Sequence, residues 1–177
     1  EVLGKATADY NPDNFDFVCL VINNNLYSWA GLGNVGGKVS WIDGKNSGSG
    51  LDQDVSVYIH ELGHNLGLYH ASAWDPDSST QADATSGEYE EYGNEFDVMG
   101  DTWSHDYDKL HFNASFKNAL DWLPSTQIQD VNASYSGRIY AMDQTLVAGR
   151  NYALRIEANG SLGGSTNLDY WVEYRSL

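Results

Sequence analysis

The segment that most constrains this chain is His60-Glu61-Leu62-Gly63-His64-Asn65-Leu66-Gly67-Leu68-Tyr69-His70, which follows H-E-x-x-H-x-x-G-x-x-H at every fixed position. At this composition the fixed residues would coincide by chance at about one start position in ten million. His60 and His64 are four residues apart, so on a helix they project from one face, a turn apart. Gly67 tolerates the positive φ that stops a helix and turns the chain sharply, which brings His70 back toward the other two. Three imidazoles suit a single zinc ion, with ligand bonds of about 2.0–2.1 Å, and leave its fourth position for water. That open position marks a catalytic rather than a structural site. Glu61 points from a neighbouring sector of the helix and is not a ligand. From there it can take a proton from zinc-bound water and pass it to a leaving amine. The spacing therefore points to zinc-assisted hydrolysis of a peptide bond.

Composition narrows the setting. The 177 residues suit one domain, or one domain with a small lobe, and 41% hydrophobic residues are enough for a core. No apolar run approaches the roughly 18 residues a membrane helix needs. A formal net charge of -16 argues against nucleic acid and against anionic membrane surfaces as partners, and fits a soluble extracellular or salt-adapted protein. No leader with a basic and then an apolar region is visible, and the chain opens on Glu1, which reads as a processed or excised form. Cys19 is the only cysteine, so no intrachain disulfide forms, and its apolar neighbours predict a buried core thiol.

Along the chain, residues 15–22 read as a buried strand and the glycine-rich stretch 29–37 as a loop leading to an edge strand, Lys38 to Ile42. Residues 43–50 read as a turn-rich loop. Asp52 is placed to cap a helix running to about Leu66, with Asp54 favourable in its first turn. Val55, Ile59, Leu62 and Leu66 form an apolar stripe expected to face the core. Residues 72–95 are polar and acidic, the least structured part by pattern. A second helix is expected from Asn113 to Trp122, halted by Pro124. Beyond it, Arg138–Met142, Tyr152–Glu157 and Tyr170–Tyr174 read as a small antiparallel sheet.

With the zinc motif in place, Asp97-Val98-Met99-Gly100 takes on meaning, and the chain resembles the metzincin peptidases. Those enzymes carry a tight turn with a methionine beneath the zinc-binding histidines, and Met99 stands in that position, supporting the site without ligating. Within the metzincins the sequence is most similar to the gametolysin family and its bacterial relatives. The similarity is carried by Trp29-Ala30-Gly31-Leu32-Gly33, by residues 60–68, by Tyr92 to Gly100, by His111-Phe112-Asn113-Ala114 with Leu120-Asp121-Trp122-Leu123, and by Tyr170 to Arg175. It implies an α+β zinc peptidase domain: a mixed twisted sheet packed on an active-site helix, a Met-turn, and a smaller C-terminal lobe with antiparallel strands. The catalytic core would span residues 1–123, and a β-rich lobe or the start of an accessory β domain residues 124–177.

The resemblance implies secretion and a protein substrate, extracellular matrix or cell-wall glycoprotein, and a monomer is the favoured state. The chain departs from the family in two ways. Only fourteen residues precede the strand at 15–22, too few for the strand and long helix that usually open such domains, so the domain is trimmed or abbreviated. Asp101 stands where astacin-like and serralysin-like enzymes have a tyrosine, so no tyrosine ligand is expected.

The expected enzyme is thus a zinc metalloendopeptidase using one catalytic ion held by His60, His64 and His70, with Glu61 as the catalytic residue. An extended substrate would pair with the edge strand at Lys38, Val39, Ser40 and Trp41. The alternative is a non-catalytic module that binds matrix or carbohydrate and uses zinc to hold its fold. Calcium is a further candidate, through Asp75, Asp77, Asp83, Glu88, Glu90, Glu91, Glu95 and Asp97, although their spacing is not an EF-hand loop. His105, Asp106, Asp108 and His111 are a weaker candidate for a second metal site. Asn113, Asn132 and Asn159 open glycosylation triplets that matter only in a eukaryotic secretory host.

Overall fold

A computed structural model describes residues 10–22, 28–44, 51–76, 87–101, 111–157 and 169–176, with backbone alone at 51–54. The described residues up to His70 form one compact unit and those from Ala71 onward a second. The described elements are α+β, with two α-helices and eight strands in three small sheets, compatible with a metallopeptidase fold. No described helix is long and apolar enough to cross a membrane.

In the first unit the apolar run after Phe17 forms β1 (Val18–Ile22). β1 pairs in parallel with β3 (Val39–Asp43), Val18 opposite Val39 and Ile22 opposite Asp43. β2 (Gly31–Gly33) pairs antiparallel with the other side of β3, Gly31 opposite Ile42 and Gly33 opposite Ser40. The order is therefore β1-β3-β2. This corrects two expectations. The glycine-rich stretch contains a strand, and Val39, Ser40 and Trp41 lie in the central strand, with Lys38 just before it, not along an edge. Both sides of β3 are engaged, so its backbone has no free ladder to offer a peptide, and among the described residues β1 and β2 are the edges.

β1 alternates half-buried and exposed positions, as side chains of successive strand residues point to opposite faces. Cys19 is on the exposed face, so it is not the buried core thiol expected.

Helix α1 (Leu51–Asn65) carries the histidine motif. It begins at Leu51, so Asp52 lies within its first turn and does not cap it. The apolar stripe does not reach the core: Val55, Ile59 and Leu62 are 53%, 40% and 40% exposed. At about 100° per residue, that stripe and the face bearing His60 and His64 lie on nearly opposite sides of the helix. The sheet takes the motif side, where Ser56, Glu61, His64 and Asn65 are buried. An amphipathic period locates the apolar side of a helix but not the side a sheet covers.

The second unit holds two sheets. β4 (Ala73–Pro76) and β5 (Gly87–Glu90) form an antiparallel pair within the segment expected to be least structured. Helix α2 (Ala114–Ala119) is shorter than the 113–122 expected. Asn113 caps its start, the side chain accepting the Phe116 N–H, and it ends where Asp121 turns to φ 59. β6 (Ile128–Val131), β7 (Ala153–Glu157) and β8 (Asp169–Glu173) form the third sheet. That sheet is mixed, not antiparallel throughout: β6 and β7 are parallel, β7 and β8 antiparallel. Arg138–Met142 does not form the strand expected. It makes isolated backbone bonds, Tyr140 N–H to the Asn151 carbonyl and Met142 N–H to the Tyr174 carbonyl.

The core of this unit is Ala114, Leu123, Met142, Tyr152 and Ala153, with Ile128, Tyr140 and Trp171 against it. Polar groups buried beside this core are paired, as burial requires. The Lys117 ammonium donates to the Met142 carbonyl at 3.2 Å, and Glu173 accepts the Ala114 N–H at 2.6 Å.

Candidate metal centre

The end of α1 sets the geometry. The Gly67 N–H bonds the His64 carbonyl at 2.8 Å and the Leu68 N–H bonds the Gly63 carbonyl at 3.0 Å, with Gly67 at φ 97. This pair of bonds is a Schellman motif, which needs a residue free to take positive φ just past the last turn. It reverses the chain within three residues and returns Leu68 to the helix it has just left.

The reversal does two things for the histidines. It brings His70 beside the other two, so that His60, His64 and His70 each present a ligand atom within 4.8 Å of one another. Among the described residues this is the one group of histidine, cysteine, aspartate or glutamate side chains so arranged. It also places the Leu68 carbonyl 2.9 Å from His64 Nδ1. A carbonyl oxygen only accepts, so Nδ1 carries the proton and Nε2 keeps its lone pair. His64 Nε2 lies 3.2 Å from His70 Nε2. Two ligands of a tetrahedral ion with bonds of about 2.0–2.1 Å are about 3.3–3.4 Å apart. The donor set and spacing therefore fit zinc. A backbone carbonyl that fixes the tautomer of a ligating histidine is the usual outer support of such a site. Burial also holds His64 below its ordinary pKa, with the Leu68 carbonyl opposing and His70 adding to the effect, so the ring is neutral near pH 7.

Glu61 is buried at 5% exposure on the sheet side of α1. Its carboxylate accepts the Gly33 N–H, while burial pushes its pKa up to about 7. Oε2 is buried with no hydrogen-bond partner. An orphaned carboxylate oxygen on the helix that carries His60 and His64 fits a site that holds an ion and its water. Two glycines of β2 make room for this side chain. A Cβ at Gly31 would collide with the Glu61 carboxylate, and one at Gly33 would sit 2.6 Å from the Glu61 carbonyl oxygen and 2.9 Å from His64 Cβ. The Gly31-x-Gly33 alternation is a signal in the sequence for close approach to one face of a strand. Leu68, Gly33 and Asn65 had no assigned role in the sequence reading, since carbonyl and amide contacts leave no trace in side-chain type.

Met99 belongs to the second unit, where it is fully buried in a tight turn. The Asp97 carboxylate closes that turn by accepting the Met99 N–H at 2.7 Å, and the Gly100 N–H bonds the Asp97 carbonyl at 2.9 Å. The other Asp97 oxygen accepts the Asn113 N–H at 2.6 Å. Both oxygens of Asp97 thus accept backbone amides. Of the other carboxylates considered for calcium, Asp77 and Asp83 lie outside the described residues. So do His105, Asp106 and Asp108 of the suggested second metal site, and Asn159.

Three convergent imidazoles on and just after one helix fit the metal centre of a zinc metallopeptidase. Residues 3–71, less than half of the chain, match the model of the M12B reprolysin-like metallopeptidase family. That match supports a zinc peptidase of the metzincin type, without singling out the gametolysin branch. No curated protein and no solved structure matches the chain.

Proposed function

We propose that the protein is a zinc-dependent endopeptidase. The observation that carries this reading is the His64–His70 contact with the tautomer of His64 set by Leu68, on the helix that also carries the orphaned oxygen of Glu61. His60, His64 and His70 would hold the ion. Bound zinc supplies a Lewis acid that polarises the scissile carbonyl and acidifies water. Glu61 takes the proton from the attacking water and delivers it to the leaving amine nitrogen. A carboxylate can accept the proton and, as the acid so formed, give it up again.

The substrate is an extended stretch of protein, and β2 is the strand it would join. β2 has one side on β3 and, among the described residues, the other unpaired. A peptide added there would make main-chain bonds with the outward groups of β2 other than the Gly33 N–H, which Glu61 holds. Secretion and extracellular or cell-wall protein substrates are part of this proposal, on the resemblance of the sequence to the gametolysin branch alone.

The test is hydrolysis of denatured casein or gelatin by the zinc-loaded protein and by Glu61→Ala. The expected result is cleavage by the first and a loss of at least about a hundredfold in the second with zinc still bound. An equally active Glu61→Ala protein would overturn the role of Glu61. No cleavage by the zinc-loaded protein would overturn the peptidase reading.

A further inference from the structure

Asn65 follows the second histidine of the motif and is 5% exposed. Its amide group donates to the Asn34 carbonyl at 3.2 Å and to the Val39 carbonyl at 3.1 Å. Asn34 directly follows β2 and Val39 opens β3, so one side chain spans the two arms of the hairpin. The hairpin does not need this help to close. The Asn34 N–H bonds the Val39 carbonyl at 3.2 Å, and the Gly37 N–H bonds the Asn34 carbonyl at 2.8 Å. What Asn65 adds is attachment of the hairpin to α1. Two other contacts cross the same junction: the Gly36 N–H to the His64 carbonyl at 2.8 Å, and the Gly33 N–H to the Glu61 carboxylate.

We propose that Asn65 is a positioning residue: its two amide bonds fix the β2–β3 hairpin on the motif helix, and thereby set where β2 holds an extended substrate relative to Glu61. The substrate half of this inference rests on the peptidase reading above. The chemistry is specific to a carboxamide. Both donor bonds end on carbonyl oxygens, which a carboxylate would repel. The buried Oδ1 has no partner, so the donors alone orient the group. Alanine removes both bonds. Aspartate keeps the shape and turns each attraction into a repulsion.

The first test needs no turnover. Amide hydrogen exchange in Asn65→Ala and Asn65→Asp should rise about tenfold at Gly33 and Gly36, with α1 and the β1–β3 pairs keeping wild-type rates. Unchanged exchange at both glycines would overturn the proposal. So would an equal rise across the whole first unit in both variants, since Asn65 would then hold the fold and not the strand. The second test compares a peptide long enough to lie along β2 with one that spans only the scissile bond. In Asn65→Ala the KM of the long peptide should rise about tenfold with kcat nearly unchanged, and the short peptide should be indifferent. Equal losses on both peptides would overturn the proposal. If the wild type cleaves neither, the peptidase reading fails while the exchange result still decides whether Asn65 holds the hairpin.

Discussion

The Leu68 carbonyl lies 2.9 Å from His64 Nδ1, so a backbone atom delivered by the turn after the helix decides which nitrogen of His64 is available to a metal. Turn and ligand are one device. Gly67 at φ 97 sends the chain back, and the same reversal positions Leu68 to hold His64 and His70 to complete the cluster.

Gly67→Ala separates the turn from the ligands without touching any of them. An L side chain at that φ is strained by about 1–2 kcal/mol or more, and relief requires the turn to open. The expected outcome is a zinc affinity lower by at least about tenfold, read by competition with a chromogenic chelator, with helix content by circular dichroism close to wild type. Unaltered zinc affinity would show that the turn does not set the ligand geometry.

The motif was legible because its meaning lies in spacing: four residues make one helical face, and a glycine three residues on makes the turn. What the sequence left open was decided by partners far along the chain. Val55, Ile59 and Leu62 reveal an apolar side of α1, but β2 approaches the opposite side, through glycines that leave room for Glu61. Val39 to Trp41 read as a strand and are one, yet nothing local says that β1 and β2 flank it on either side. Arg138–Met142 alternates like a strand and lacks a neighbouring ladder, while Ile128-Gln129-Asp130-Val131, with polar residues at its centre, gains one from β7. The donors to the Glu61 carboxylate and to the hairpin carbonyls come from a backbone amide and a carboxamide whose contacts have no sequence pattern.

Gly33→Ala tests the room made for Glu61. The added methyl would sit 2.6 Å from a backbone oxygen, which cannot swing aside as a side-chain tip can. Overpacking of this kind typically costs about 1–3 kcal/mol. The protein should melt several degrees lower and lose activity by more than its loss of folded protein explains, because the Gly33 N–H moves with the strand. A variant with wild-type melting and turnover would show that β2 does not press on Glu61.

Asp97 links stability to pH. Burial raises its carboxyl from 3.8 to about 6, although the Met99 and Asn113 amides it accepts and the nearby Arg175 pull the other way. The folded state therefore binds more protons than the unfolded state between about pH 4 and pH 6, and stability falls as pH rises through that window, levelling off above it. A shift of about two units corresponds to roughly 3 kcal/mol. Other carboxylates titrate in the same range, so the quantity to measure is the difference between wild type and Asp97→Asn in chemical denaturation. That difference should shift in favour of the asparagine variant as pH rises from 4 to 6 and then stay constant. A difference independent of pH would place the folded-state pKa of Asp97 near its unfolded value.

Zinc should stabilise the first unit through the three histidines and without Glu61. A ligand that binds only the folded state at a free concentration of about a hundred times its Kd adds about 2.7 kcal/mol. Adding zinc to the chelator-treated protein should raise its melting temperature by several degrees. Changing any one of His60, His64 and His70 to alanine should abolish most of that rise, because two imidazoles bind zinc far more weakly than three. Glu61→Ala should retain it, since the carboxylate is not a ligand. The two sets of variants therefore separate binding from chemistry: the histidine variants lose both the thermal shift and turnover, and the glutamate variant loses turnover alone. A full thermal shift in His70→Ala would remove the third ligand from the site, and loss of the shift in Glu61→Ala would make Glu61 part of the metal's binding set instead of its base.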